Sequence, residues 1–303
     1  MRHKTYYKSL IEKPYFYLTT HIVVEYRSFF LSTGHPVFKQ AADRLPVTLI
    51  LFISLVDFTL YFYLENIWIL VGYWLLMIIP KGVISAWNHH HQHCHVFKSN
   101  ILNRILEFFY ALHTGVTTNL WVLHHNLGHH RNFMDQEKDE SRWKRKDGSK
   151  MGIIEYTIKV TLTAYPRGYQ VGKHYPKQQR QFITFGIITF VLLGVLTYVN
   201  PINALFLFIL PMIGSLTYTS WATYGHHTDL ESDDQFASSH NITDKWFNTL
   251  TGNLGYHTAH HYKQGVHWSK LPALHEEIKD KIPKECFRAS FFEGIGRYLP
   301  IEQ

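Results

Sequence analysis

The chain has 303 residues, of which 46% are apolar and 17% charged, and its formal net charge is +7. About a quarter of the residues of a typical soluble domain are charged, so low charge with 16% aromatics excludes a disordered chain and points to a bilayer. The two cysteines, Cys94 and Cys286, exclude a disulfide-stapled module and a cysteine-based metal scaffold, whereas the 22 histidines are far above ordinary usage.

Four apolar runs follow one another in two close pairs. Each run is about as long as a helix that crosses the hydrocarbon core, which takes roughly 20 residues. A large soluble protein with buried helices is the alternative, but two tight pairs of this length disfavour it. We therefore predict transmembrane helices over residues 47–64, 67–87, 182–199 and 202–222.

The basic residues are distributed very unevenly about these four spans. The two short connections, at 65–66 and around 200–203, contain no Lys or Arg. All 30 basic residues fall on the other side, with seven in 1–46, fifteen in 81–181 and eight after 224. This asymmetry places both termini and the segments 88–181 and 223–303 in the cytoplasm. Asp57 lies within the first span and is costly in lipid, so we expect it to face the helix bundle.

The middle segment, 88–181, has a helical pattern of its own. Residues 101–112 and 153–165 predict helices at the membrane interface or under a cytoplasmic cap. Between them, 138–150 is predicted to be a charged surface loop. The predicted fold is a single all-α integral membrane domain over 1–303, with two transmembrane hairpins and a helical cytoplasmic cap that holds a two-metal site.

Histidines concentrate in three clusters, which fall on the same predicted side of the membrane. The clusters are the segments 88–95 (NHHHQHCH), 124–130 (HHNLGHH) and 257–261 (HTAHH), with a further pair at 226–227. Residues three and four apart share a helix face, so His89 and His93 can converge, as can His125 and His129. By the same spacing, the three histidines of 257–261 point to one place. Neutral imidazole is a good ligand for iron, and three distant clusters are a specific signal.

These clusters resemble the histidine boxes of the membrane fatty acid desaturase superfamily. His89 and His93 followed by Phe97 are similar to the first box, and residues 125–130 (HNLGHH) to the second. Residues 253–261 (NLGYHTAHH) followed by 267–272 (HWSKLP) are similar to the third. The resemblance covers roughly 45–275 and implies two iron ions held by eight or nine histidines.

The resemblance carries over to nine candidate ligands, with some alternatives open. The candidates are His89, His93, His125, His129, His130, His227, His257, His260 and His261. The first pair has His91 with His95, or His90 with His95, as alternatives. His124 is the alternative to His125, and His226 is the alternative to His227.

The resemblance also implies an oxygen-dependent fatty acyl desaturase, whose two ferrous ions use O2 to form a C=C bond in an acyl chain. A lipid hydroxylase, acetylenase or oxidative decarboxylase is the alternative on the same fold, and a membrane metal transporter is a remote one. We expect an acyl-lipid, acyl-CoA or acyl-carrier-protein substrate and no nucleic acid. A separate electron donor of the ferredoxin, rubredoxin or cytochrome b5 type is also expected. Four acidic residues after His227 are candidates to support the ligands, or else form a surface loop: Asp229, Glu231, Asp233 and Asp234.

Overall fold

The computed structural model describes residues 36–290, and the expectations for the two termini lie outside this range. The described part is mostly helical, with one two-stranded parallel sheet, β1 (Asn241–Ile242) and β2 (Phe287–Arg288). The helices are α1 Arg44–Tyr63, α2 Ile67–His93, α3 Asn100–Thr114, α4 Ile153–Gly172, α5 Pro176–Val199, α6 Pro201–His227, α7 Lys245–Thr251, α8 His257–Tyr262 and α9 Leu271–Ile278.

Four of the helices are long and apolar enough to cross a membrane, as predicted. They are α1 with the turn before it (Ala41–Tyr63), α2, α5 and α6. Their ends at the two short connections agree with the sequence prediction within a few residues. At the opposite ends each helix continues five or six residues past the predicted span, which adds about 8–9 Å. These extensions carry α2 to His93 and α6 to His227, so both helices deliver histidines beyond the apolar layer.

Asparagines close the two short connections between the membrane helices. The Asn66 side chain accepts hydrogen bonds from the first turn of α2, and Asn200 caps α6 in the same way. The Asn203 side-chain amide donates to the backbone carbonyls of Tyr61 (3.0 Å) and Leu64 (2.9 Å). These bonds hold the two connections together at one end of the bundle, where water cannot satisfy every carbonyl.

Asp57 faces the bundle, as its cost in lipid predicts. Its carboxylate is fully buried, lies 2.8 Å from Lys81 Nζ and accepts a hydrogen bond from the Tyr73 hydroxyl. Lys81 also donates to the Leu207 carbonyl, in a π-helical segment of α6. Lys81 was counted above among the cytoplasmic basic residues of 81–181. It is instead buried inside α2 against its counter-ion and does not contribute to that charge asymmetry.

The helices predicted at 101–112 and 153–165 are present as α3 and α4. The Ser99 side chain caps α3, and Gly115, with φ of 69°, ends it in the left-handed conformation that glycine favours. Ile154, Ile158 and Leu162 lie four residues apart on α4 and are exposed, so this helix presents an apolar stripe outward.

Residues 138–150 form a loop, but it is not purely a surface loop as predicted. Asp139, Ser141 and Trp143 are buried, while most of its lysines and arginines remain at the surface. The buried Trp143 packs with Met151, Tyr156 and the α6 residue Tyr224. This loop therefore brings a carboxylate into the interior.

The segment after α6 folds over the ends of the membrane helices. α8 and α9 share an apolar core in which Ala259, Leu271 and Leu274 are buried. Asp43, at the start of α1, accepts hydrogen bonds from His267 Nε2 (3.0 Å) and Trp268 Nε1 (2.8 Å). These two bonds tie the HWSKLP segment, and with it α8, to the first membrane helix.

Candidate metal centre

The first group of histidines forms where α2 meets the segment that follows α3. His89 and His93 lie one turn apart at the end of α2, so their rings share a face. His89 Nε2 is 2.8 Å from His125 Nε2, and His130 Nε2 is 2.9 Å from the same atom. Five side chains offer nitrogen atoms within 4.8 Å of one another: His89, His93, His125, His130 and His260.

The second group forms around His227, the last residue of α6. His227 Nε2 is 3.1 Å from His129 Nε2 and 3.1 Å from His257 Nε2. His129, His227 and His261 have ligand atoms within 4.8 Å of one another. The His130 and His261 rings stack at 4.1 Å, so the two groups adjoin. The structure thus brings all nine candidate ligands into two neighbouring groups of five and four.

The second histidine box lies on a π-helix, Val122–His129, rather than on an α-helix. The His130 backbone N–H donates to the His125 carbonyl five residues earlier, at 2.8 Å. The widened turn places His125 above His130, and it turns His129 toward the second group. The His125 ring lies 4.5 Å from that of His130 and 5.2 Å from that of His129. His125 therefore groups with His130, while His129 groups with His227 and His261.

The third box divides between the two groups. His260 lies against the α2 histidines, with ring centroids 4.7 Å from His89 and 4.6 Å from His93. His257 and His261 lie 5.0 Å and 4.8 Å from His227. The three histidines of α8 therefore do not converge on one position as expected. α8 lies between the two groups and contributes His260 to the first and His257 and His261 to the second.

Imidazoles in both groups have a lowered pKa. Burial, reinforced by the neighbouring imidazoles, lowers the pKa of His125, His130, His257, His260 and His261 well below the usual value. Several of their buried nitrogens have no hydrogen-bond partner, including His260 Nε2 and both nitrogens of His261. Ring nitrogens that converge and lack a hydrogen-bond partner suit a bound cation. The donor set therefore fits two metal ions such as iron.

Two contacts orient the rings of the second group. His129 Nδ1 donates to Asp139 Oδ1 at 2.8 Å, and His227 Nδ1 donates to the Ser238 carbonyl at 3.1 Å. Each bond fixes the tautomer in which Nε2 carries the lone pair, and Nε2 faces the other histidines. Sequence reasoning missed Asp139, which stands among surface charges with no distinguishing pattern. Its single signal, a carboxylate about ten residues after a histidine box, is too common to use.

The four acidic candidates after His227 are all exposed, so the surface-loop alternative is correct for them. Asp229 pairs with Lys150 and Glu231 pairs with Lys144. Their distance in sequence from His227 is short, but the turn after α6 carries them out to solvent.

The alternative ligands lie outside the two groups. His90 Nε2 contacts the Thr251 carbonyl, and His226 Nδ1 contacts the His240 carbonyl. His91 and His95 turn toward Glu107 on α3. His124 is buried, and its Nε2 makes no hydrogen bond.

An apolar cavity of about 660 Å³ lies between α2, α6 and α7. Its walls include Trp74, Met77, Leu210 and Gly214 on the membrane helices. A smaller chamber of about 90 Å³ lies farther along the same helices, and histidines of both groups line it. Five residues border both spaces, so the two are adjacent: Gly82, Val83, Tyr218, Phe247 and Thr251.

The comparisons with known proteins agree with the fold and the site. The family model for fatty acid desaturase matches residues 65–292, which contain all three histidine clusters and three of the four membrane helices. The chain belongs to the fatty acid desaturase family. No curated protein matches the sequence.

Proposed function

We propose that this protein is an oxygen-dependent fatty acyl desaturase with two iron ions held by the nine histidines. The observation that carries the proposal is the contact between the apolar cavity and the chamber bordered by the histidines. A metal-storage or transport protein needs no apolar space next to its ligands, whereas an enzyme that acts on a lipid tail does.

The protein residues divide between two ion positions. His89, His93, His125, His130 and His260 would hold one ion, and His129, His227, His257 and His261 would hold the other. When bound, the iron pair would supply the O2 chemistry that removes hydrogen from an unactivated C–H bond. The nine candidate ligands are imidazoles and bring no negative charge, so the Asp139 carboxylate against His129 would offset part of the metal charge.

The large cavity suits an acyl chain. Its volume lies within the range of ligand pockets, about 300–1,000 Å³, and its lining is mainly apolar. It lies between two helices that are long enough to span the membrane, so a lipid tail enters it without crossing water.

The shared wall residues would set which carbon reaches the metal ions. Gly82 and Tyr218 face each other where the two spaces meet, and a Cβ added at Gly82 would lie 3.4 Å from the Tyr218 ring. A Cβ at position 82 would touch the Tyr218 ring, so a larger side chain there would fill this junction. The protein's part in the reaction would be to hold the acyl chain at this point and to exclude water around it.

Desaturation consumes more than the acyl chain. A –CH2–CH2– unit, O2, two electrons and two protons give –CH=CH– and two molecules of water. The described residues contain no second cofactor motif, so the electrons would come from a separate donor of the ferredoxin, rubredoxin or cytochrome b5 type. We place the metal centre and the donor on the cytoplasmic side, where the basic residues accumulate.

The test is a lipid profile by mass spectrometry of cells that express the wild-type chain, His260→Ala or His174→Ala. His260 belongs to the first group, and His174 is an exposed histidine far from it in sequence. We expect species lighter by two hydrogen atoms with wild type and His174→Ala, and none with His260→Ala. A species heavier by one oxygen atom, or a shortened terminal alkene, would contradict desaturation and assign a hydroxylase or decarboxylase.

A further inference from the structure

A third set of metal-binding side chains lies beside the nine histidines. His91 lies on α2, His95 lies two residues after its end, and Glu107 lies on the facing helix α3. Their ligand atoms lie within 4.8 Å of one another. At 100° per residue, His91 projects about 200° away from His89, so this set faces away from the nine-histidine centre.

The spacing within this set is compatible with metal ligands as well as with the hydrogen bond between His91 and Glu107. Glu107 Oε1 is 3.3 Å from His91 Nε2 and 3.7 Å from His95 Nε2. Hydrogen bonds of this kind are about 2.7–3.2 Å long. Ligands bound tetrahedrally at about 2.0–2.1 Å lie about 3.3 Å apart, which is close to the first distance and somewhat below the second.

The rest of the Glu107 carboxylate is held in place from the opposite side. Arg104 donates to Oε2 at 2.6 Å, and the Thr118 hydroxyl donates to the same oxygen at 2.7 Å. Oε1 is thereby left to face the two imidazoles. Burial raises the pKa of Glu107, but His91 and Arg104 outweigh it, so the pKa is lowered and the carboxylate is ionised. A ligand carboxylate fixed by its own hydrogen bonds is a usual feature of metal sites.

We propose that His91, His95 and Glu107 bind a divalent ion, Zn2+, separate from the two iron ions. Two histidines and a glutamate are a known ligand set for tetrahedral zinc, with water in the fourth position. The His95 side chain is 30% exposed, which gives that water access. The bound ion would fasten the end of α2, which carries His89 and His93, to α3.

The experiment counts metal ions by elemental analysis of the purified chain. The protein carries a histidine-free affinity tag, is dialysed against micromolar Zn2+ and is then desalted. Wild type is compared with His95→Ala and Glu107→Gln, and with the exposed variants His174→Ala and Glu276→Gln as matched controls. We expect wild type and both controls to hold one metal ion more per chain than either site variant.

The difference in metal content between wild type and a site variant does not depend on which metal occupies the nine-histidine centre. Equal metal content in wild type and His95→Ala would overturn the proposal, and His95 is exposed enough for its truncation to leave the fold intact. Thermal unfolding provides a second readout. A chelator that removes the ion should lower the melting temperature of wild type toward that of His95→Ala, and an identical response in the two proteins would also overturn the proposal.

Discussion

The end of α2 presents histidines on two opposite faces, and the two faces differ in what they meet. His89 and His93 face other imidazoles from the π-helix and α8. His91 and His95 face the Glu107 carboxylate, which Arg104 and Thr118 hold from behind. The seven residues from His89 to His95 therefore contribute to two chemically distinct environments.

The difference shows that burial and residue type do not by themselves define a ligand. His89 and His91 are both buried. His89 meets neutral groups that offer lone pairs. His91 meets a carboxylate, which would offset one of the two positive charges of a divalent ion. The partners, which come from distant segments, decide the chemistry.

The largest expected effect comes from breaking the all-histidine face at its centre. His125 Nε2 lies within 2.9 Å of both His89 and His130. His125→Ala should abolish product formation and lower bound iron, while the metal ion at His91 stays. Iron content and lipid analysis of the purified variant would measure this. His124→Ala is the control, because His124 lies next to His125 in sequence but outside both groups. If His124→Ala lost iron and His125→Ala did not, the assignment would be contradicted.

The second effect concerns the substrate, because the chamber next to the large cavity is bordered by histidines of the nine-histidine set and by neither His91 nor His95. Gly82→Leu should block the junction against Tyr218 and lower kcat/KM for the acyl substrate by about 10²-fold, since small misplacements of a reacting group cost this much. Iron content should not change. Gly72→Leu is a matched change on the same helix, where an added Cβ meets nothing within 4 Å. Equal activity in the two variants would show that the chain does not pass this point.

The third effect concerns Asp139, the carboxylate that orients the His129 ring. Asp139→Asn weakens the acceptor for His129 Nδ1 and should lower iron affinity or activity about 10–100-fold. Competition with a chelator would measure the affinity. Asp229→Asn, in the exposed acidic loop, should leave it unchanged. Comparable losses in both variants would indicate a general charge effect rather than a contact.

The smallest functional effect is expected at Lys81, which lies about two turns before His89 on α2. Lys81→Met leaves the Asp57 carboxylate buried without its cation, and it should lower the free energy of unfolding by about 3–5 kcal/mol. The double variant with Asp57→Leu should recover most of this loss. Unfolding in detergent would test both, with Lys279→Met, at an exposed ion pair, as the control of about 0–1 kcal/mol. No loss in Lys81→Met would mean that the pair contributes little.

The sequence predicts which histidines gather, because box spacing and the membrane topology bring them to one side. It does not predict how they divide. Regular α-helical spacing pairs His125 with His129, whereas the π-helix pairs His125 with His130. Nothing in the sequence of this segment predicts a π-helix. The helices continue five or six residues past the predicted spans, because a helix need not end where the apolar run ends.

Contacts between distant segments were the hardest to foresee. Asp139 was placed in a surface loop and Lys81 was counted among the cytoplasmic basic residues, since charged residues are rarely buried without a partner. Their partners, His129 and Asp57, come from other elements, and only the fold brings each pair together.

The most direct test of the central claim is the iron content per chain of wild type, His260→Ala and His261→Ala. The two variants remove one histidine from each group. If the nine histidines hold a pair of ions, anaerobically reconstituted wild type contains two iron ions per chain and each variant contains fewer. A wild-type chain with one iron or none, or a full pair of iron ions in both variants, would contradict the account.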